Sequence, residues 1–369
     1  MKHVSSAESA GGRLGAVLAA PRTGVIALGR FGPWVAATPA LAREVLTDPV
    51  RFDFPSNVSR TGDLSGSRGN SRSGHTVFMP LSPPQVETGR VTFSKEWTRA
   101  VREHDLSRPG DPYDAMALLR QPVARATTAA TLPSLTTDER DAVADAVLRW
   151  IDALGPVIAA RRPPRGWSRK RRAESAARLE LEQALARTET VGEPSELGTF
   201  LAAGIQVPIA AGSWLLALLA DHDDGVVDPV HAVWETLRLT PPTWITARIT
   251  VEPVDLGGAT IPSGSVVMVS PLLLGRCEEL VPAGSAGIER FDPDRWRDPS
   301  RRPGAWLPFG AGPHACPGRN LGLAQLTELA QWAGNQELSL NEDVLVDQSR
   351  GLAPRPCRFF ARPRGRRSP

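Results

Sequence analysis

Residues 309–318 read Phe-Gly-Ala-Gly-Pro-His-Ala-Cys-Pro-Gly and run straight into the helix-forming stretch RNLGLAQLTELAQWA. Few segments restrict a fold as tightly. Glycines at 310, 312 and 318 let the backbone turn sharply and approach a flat ligand closely. A helix that starts just after Cys316 aims its unpaired N–H groups and its positive end at the sulfur, which favours a thiolate able to ligate a metal. A buried cysteine in a Gly/Pro turn would account for Cys316 alone, but not for Phe309, Gly312 and Gly318 at their spacings. Those four positions together are expected by chance about once in a thousand chains of this composition. Cys277 and Cys357 have no comparable surroundings and read as ordinary thiols.

Composition narrows the class of protein. The 369 residues carry 43 Lys+Arg against 40 Asp+Glu, a formal charge of +3, which excludes a dedicated nucleic-acid binder. With 41% hydrophobic and 22% charged residues the chain is globular, not disordered. An odd number of cysteines without a CxxC pair points to a reducing compartment. The apolar run Leu14–Ala20 follows Arg13 and polar residues, unlike a secretory signal, so the expected location is the cytoplasm. The uncharged stretch 197–220 is long enough to span a bilayer. It contains Gly198, Gly204, Gln206, Pro208, Gly212 and Ser213, lacks basic flanks and ends on acidic residues, so it reads as a buried central helix with no membrane partner.

Residues 24–37 alternate as a hairpin turning at Gly32-Pro33, followed by a short helix over ALAREVLTDP. Residues 60–76 form a Ser/Gly/Arg loop. Thr136 and Glu139 make a capping box for a helix stopped by Gly155-Pro156. The seven basic residues within 161–172 read as a solvated linker. Asp228 before Pro229 caps a helix through Leu239, and residues 247–270 alternate as strands around Gly257-Gly258. With no internal repeat and no sharp linker, residues 1–369 are expected to form a single domain, mainly α with a small β region, ending in a basic tail over 361–369.

At this point the chain resembles the cytochrome P450 superfamily of haem-thiolate monooxygenases. FGAGPHACPG matches that family's haem-binding signature, Glu235-Thr-Leu-Arg238 its Glu-x-x-Arg, and Phe291-Asp-Pro-Asp-Arg295-Trp the segment whose arginine closes an ion triad. The resemblance implies the P450 fold, haem b (iron protoporphyrin IX) as cofactor, and Cys316 as the iron ligand. It also assigns Glu235, Arg238 and Arg295 a structural role, and Phe309, Gly312 and Gly318 a place in the haem cradle. Arg248 and His314 match positions that bind haem propionates. So does Arg90, at the end of Pro83-Pro-Gln-Val-Glu-Thr-Gly-Arg90, although Val86 stands where the family has histidine. The match looks abbreviated around 155–195 and 220–228, where the family carries substrate-lid helices and a helix before Glu-x-x-Arg.

The largest departure lies in the central helix, where the family has Ala-Gly-x-Asp/Glu-Thr to relay protons to dioxygen. Here the residues are Ala203-Gly204-Ile205-Gln206-Val207-Pro208. Gln206 cannot act as an acid, and Val207 has no proton to donate. Pro208 removes the amide that would bond to the Gly204 carbonyl, so a kink with a free carbonyl holding an ordered water is expected to serve the relay. Gly204, Gln206 and Val207 are therefore the catalytic candidates, with Ile205, Ile209, Trp244, Ile245 and Thr246 lining the substrate pocket. The resemblance implies a monomeric bacterial-type monooxygenase of an apolar small molecule, in secondary metabolism, fed by a ferredoxin-type donor and its reductase. The alternatives are a peroxide-driven or non-redox haem enzyme, and a non-catalytic homologue acting as another enzyme's partner.

Overall fold

The structure is a computed structural model that describes residues 4–30, 32–54, 77–160, 162–187, 193–222, 227–348 and 352–364. The loop expected over 60–76 lies outside the described residues, as do Arg161 and residues 365–369 of the basic tail. Among the described residues the helices are, in chain order, α1 (Gly12–Leu18), α2 (Pro39–Thr47), α3 (Pro83–Ser107), α4 (Ala115–Leu118), α5 (Arg120–Thr131), α6 (Thr137–Ile158), α7 (Arg169–Ala186), α8 (Pro194–Ala220), α9 (Pro229–Leu239), α10 (Pro271–Leu274) and α11 (Arg319–Gly334). Contacts divide the chain into two compact units. The first comprises Met1–Ser5, Pro80–Thr236 and Gly318–Pro369; the second comprises Ser6–Met79 and Leu237–Pro317.

The first unit is a helical bundle around α8, which packs against α5, α6, α7 and α11. Leu201, Ile205, Trp214, Leu215 and Leu216 are each fully buried, and the most apolar stretch of α8 is 72% buried within the protein. That is the burial of a core helix, as its glycines and missing basic flanks suggested. The indole N–H of Trp214 donates to Leu352 O at 2.9 Å, anchoring α8 to the C-terminal strands. Cys357 is buried, its Sγ 3.3 Å from Ser213 O, and burial pushes its thiol well above the usual range, which fits an inert thiol.

The capping box of Thr136 and Glu139 is formed, with Thr136 N donating to the Glu139 carboxylate at 2.8 Å. The helix it starts does not stop at Gly155. It continues through Pro156 to Ile158, because a proline this near the C-terminus removes only one of the last intrahelical bonds. The basic run is also partly helical: Arg169–Arg172 open α7 behind Ser168, whose hydroxyl accepts from Arg171 N at 3.3 Å. The interval 155–195 thus holds a helix of 18 residues packed on α6.

The second unit is built on a five-stranded sheet in the order Val25–Ala27, Trp34–Ala36, Val266–Val269, Thr246–Thr250, Phe52–Asp53. The expected hairpin pairs Val25 with Ala36 antiparallel, and Trp34 then runs parallel to Val267. On one face Val17, Val35, Ala37 and Leu273 form a core that Ile26, Trp244, Ile245 and Met268 cover. The helix after Asp228 begins where expected: Asp228 Oδ1 accepts from Val230 N at 2.9 Å and His231 N at 3.0 Å.

Residues 275–306 contain little regular structure and are held by buried arginines. Arg238, fully buried, donates to the carbonyls of Gly275, Ile288 and Arg290 at 3.0, 2.6 and 3.2 Å. Arg295, also buried, donates to Pro282 O and Ala283 O at 2.8 Å each. Arg276 returns two bonds to the end of α9, at Arg238 O and Leu239 O. The arginines of both family motifs therefore satisfy carbonyls that an irregular buried loop cannot pair with itself. Glu235 is fully buried as well, which excludes an exposed helix ion pair.

Asp292 completes this loop by accepting from Ser285 N at 2.7 Å and Ala286 N at 3.1 Å. Burial pushes its carboxyl up, but these amides, the Ser285 hydroxyl and Arg295 outweigh it and hold the group below its ordinary value. Because the folded value is the lower one, the stabilisation is present above the unfolded carboxyl range and is lost as pH falls through the folded value. Thermal melts between pH 6 and pH 3 are expected to show a steeper loss of Tm below about pH 4 in the native chain than in Asp292→Asn.

Candidate active site

In the second unit, residues 307–316 fold back on themselves. Gly310 N donates to Leu307 O at 3.0 Å, Ala315 N to Gly312 O at 3.1 Å, and Cys316 N to Phe309 O at 2.8 Å. Closing so short a loop needs left-handed backbone, found at Leu307 (φ 60°), Gly310 (69°) and Gly312 (71°). Gly312 is doubly required, since a Cβ there would overlap Leu46 O and stand 2.9 Å from Thr47 Cα at the end of α2. Gly318 has an ordinary φ of −88° and open space where a Cβ would be. The loop presents Cys316 at the surface, whereas Cys357 is buried and Cys277 half-buried. Two residues after Cys316 the chain reaches Gly318, the N-cap of α11.

Beside this loop the structure gathers His314 and Arg248 around Phe54, a residue that no sequence signal singled out. The Arg248 guanidinium lies 4.0 Å from the Phe54 ring centroid, and the His314 ring meets Phe54 edge-on at 4.5 Å. Arg248 is 4% exposed and donates to neutral acceptors, Ala247 O at 2.9 Å and Thr246 Oγ1 at 3.4 Å. Burial pulls its guanidinium below the usual arginine value, and Asp53 on the neighbouring strand offsets part of that. A desolvated cation with neutral partners beside a histidine suits a carboxylate. Thr246, Ile245 and Trp244 precede Arg248 and are half-buried.

Arg90 stands on α3. It belongs to the first unit, where it forks onto Glu87 at 2.7 and 2.8 Å and also pairs with Glu328 of α11. Two carboxylates already neutralise it, so its guanidinium is committed within the bundle.

The other candidates of the first unit lie on α8. Ala203 is exposed and Gly204, Gln206, Val207 and Pro208 are half-buried, whereas Ile205 and Ile209 are 0% and 2% exposed and face the bundle core. The surface of this stretch of α8 is thus carried by Ala203 and, in part, by Gly204, Gln206, Val207 and Pro208, with almost none from Ile205 or Ile209. The Gly204 carbonyl is not free either. It accepts the Thr127 hydroxyl of α5 at 3.3 Å, a partner hidden from sequence reasoning in the unremarkable run ARATTAAT.

A mainly helical chain with an exposed thiol on a closed glycine loop, next to a desolvated arginine and a histidine, has the groups that a haem-thiolate site requires. The chain comparisons agree. The sequence profile described as Cytochrome P450 matches residues 230–330. Cyclooctat-9-en-7-ol 5-monooxygenase of Streptomyces melanosporofaciens is 29% identical over 364 residues, spanning 80% of this chain and 78% of that protein. Pentalenene oxygenase of Streptomyces avermitilis is 32% identical over 36% of each chain, and lanosterol 14-alpha demethylase of Bos taurus is 39% identical over 32% of this chain and 22% of its own. The chain belongs to the cytochrome P450 family; it is a haem-thiolate monooxygenase with haem b as cofactor.

The residues present fit that cofactor. The exposed Cys316 thiol would be its soft ligand, and Arg248 and His314 would offer cationic and hydrogen-bonding groups to its propionates. Gly312→Ala is expected to lower both Tm and haem content, because its methyl group meets backbone in α2. Gly318→Ala is expected to leave both near native values. Equal losses in the two variants, measured by thermal melt and haem extraction, would show that the loop's shape does not set haem retention.

Proposed function

We propose that this chain is a bacterial-type monooxygenase inserting one atom of dioxygen into an apolar small molecule in secondary metabolism, with two electrons from a ferredoxin-type donor and its reductase. The balance is one C–H bond, one dioxygen, two electrons and two protons giving one alcohol and one water. The observation that carries this reading is the exposed Cys316 thiol on its closed glycine loop. Bound haem supplies the redox-active iron for O–O cleavage, favoured by the electron push of a thiolate.

The chain's own residues then have separable tasks. Phe309 O and Gly312 hold the loop that directs the Cys316 sulfur outward. Arg248 and His314 bind propionates. On α8 the residues with surface to offer a small molecule are Ala203 and, in part, Gly204, Gln206, Val207 and Pro208; on the second unit, taken by itself, Trp244, Ile245 and Thr246 are half-buried. Gln206 is the one side chain of residues 203–208 able to pass a hydrogen bond.

Two relatives bear names with cyclooctat-9-en-7-ol and pentalenene, which makes these compounds the first substrates to try. Burial of α8 supports reading it as a core helix and not as a membrane span. Sequence interleaving of the two units, with four chain crossings between them, supports treating residues 1–369 as one haem-binding domain.

A peroxide-driven reaction is the second reading, favoured by Gln206 and Val207 in place of an acid and an alcohol and by the engaged Gly204 carbonyl. Isotopically labelled dioxygen separates the two. With reductase, ferredoxin and either compound, the product is expected to carry one labelled oxygen per two electrons consumed. Product formed only from labelled hydrogen peroxide would establish the second reading instead.

A further inference from the structure

We infer that Thr127, on α5, is a positioning residue for the oxidant-handling turn of α8, doing for the Gly204 carbonyl what residue 208 cannot. The inference rests on the proposed reading of residues 203–207 as that turn. In an α-helix each carbonyl is closed by the amide four residues on, so Pro208 withholds the donor that Gly204 O would otherwise receive. A half-buried acceptor deprived of that donor must find water or a neighbouring polar group. The neighbour is Thr127 Oγ1, 77 positions earlier in the chain and 3.3 Å from the carbonyl oxygen.

Three observations mark this bond as more than the habit of a helical threonine. Thr128 and Thr131 on the same helix bond back into α5, Thr128 to Ala124 O and Arg125 O at 3.1 Å each and Thr131 to Thr127 O at 2.6 Å. Thr127 reaches across to another helix instead. It is 3% exposed, so little water competes for its hydroxyl. Finally, its Cγ2 lies 3.3 Å from the point where a Cβ on residue 204 would stand, so glycine at 204 and threonine at 127 fit one another.

The chemical consequence concerns the turn that ends at Pro208. With its carbonyl drawn onto α5, the turn denies one carbonyl lone pair to solvent. The alcohol missing at 207 is not replaced as a proton donor. What α5 supplies is a fixed backbone at the place where the helix lacks an amide.

The test is a double-mutant cycle. Thr127→Val keeps the shape and removes the donor, Thr127→Ser restores it, and Pro208→Ala returns the backbone amide to Gly204 O. Each haem-loaded protein is melted, its ferric absorption spectrum recorded, and the hydrogen peroxide released per reducing equivalent measured with ferredoxin and its reductase. Thr127→Val is expected to lower the folding equilibrium constant about fivefold, to alter the ferric spectrum and to raise the peroxide share. Thr127→Ser is expected to reverse all three. In the Pro208→Ala background, Thr127→Val is expected to change none of them.

Identical effects of Thr127→Val in both backgrounds would overturn the inference. So would a change of Tm alone, with spectrum and peroxide share at native values, since that is a cap without a positioning role. Failure of the underlying functional reading shows differently, as the absence of a thiolate-type carbon monoxide band from the native protein.

Discussion

The bond from the Cys316 amide to the Phe309 carbonyl, 2.8 Å long, closes the turn on which the chemistry of this chain depends. It forms only if the intervening residues pass through left-handed backbone, and Gly310 and Gly312 permit that without strain. It also needs α2 to lie directly under Gly312, which is why a methyl group there meets Leu46 O and Thr47 Cα. A thiol held this way is exposed while its backbone is fixed. That combination suits a metal ligand, whereas the buried Cys357 thiol, pushed up by desolvation, does not.

The same second unit shows how an irregular loop is kept in place without helices or strands. Arg238, Arg276 and Arg295 are buried and donate to backbone carbonyls, while Asp292 collects amides. Removing one of these groups leaves several buried polar atoms unpaired, which typically costs about 3–5 kcal/mol. On the first unit the equivalent constraint is apolar. α8 is buried along most of its length, and between Leu201 and Leu218 only residues 203, 204 and 206–208 keep any appreciable surface.

How far the sequence was legible followed from how local each feature is. The Thr136 capping box, the Asp228 cap, the Val25–Ala36 hairpin and the Phe309–Cys316 turn rest on residues within a few positions of one another, and all are present. What escaped depends on distant partners. Phe54 meets Arg248 and His314 across 194 and 260 positions of chain, and nothing in its neighbourhood announces it. Arg90 matched a motif, and its pairing with Glu328 on another helix is invisible at that distance in the chain. Ile205 and Ile209 looked like pocket residues because they are apolar and flank the candidate turn, yet helical periodicity turns them to the core. Pro208 was read as freeing a carbonyl, and only the packing of α5 shows what takes it up.

The central claim is that Cys316 ligates haem iron as a thiolate, and the absorption spectrum of the reduced, carbon-monoxide-treated protein tests it most directly. The account predicts a thiolate-type band in the native chain that is lost in Cys316→Ala, with Cys277 and Cys357 left in place. A band of native shape and intensity in Cys316→Ala would contradict it.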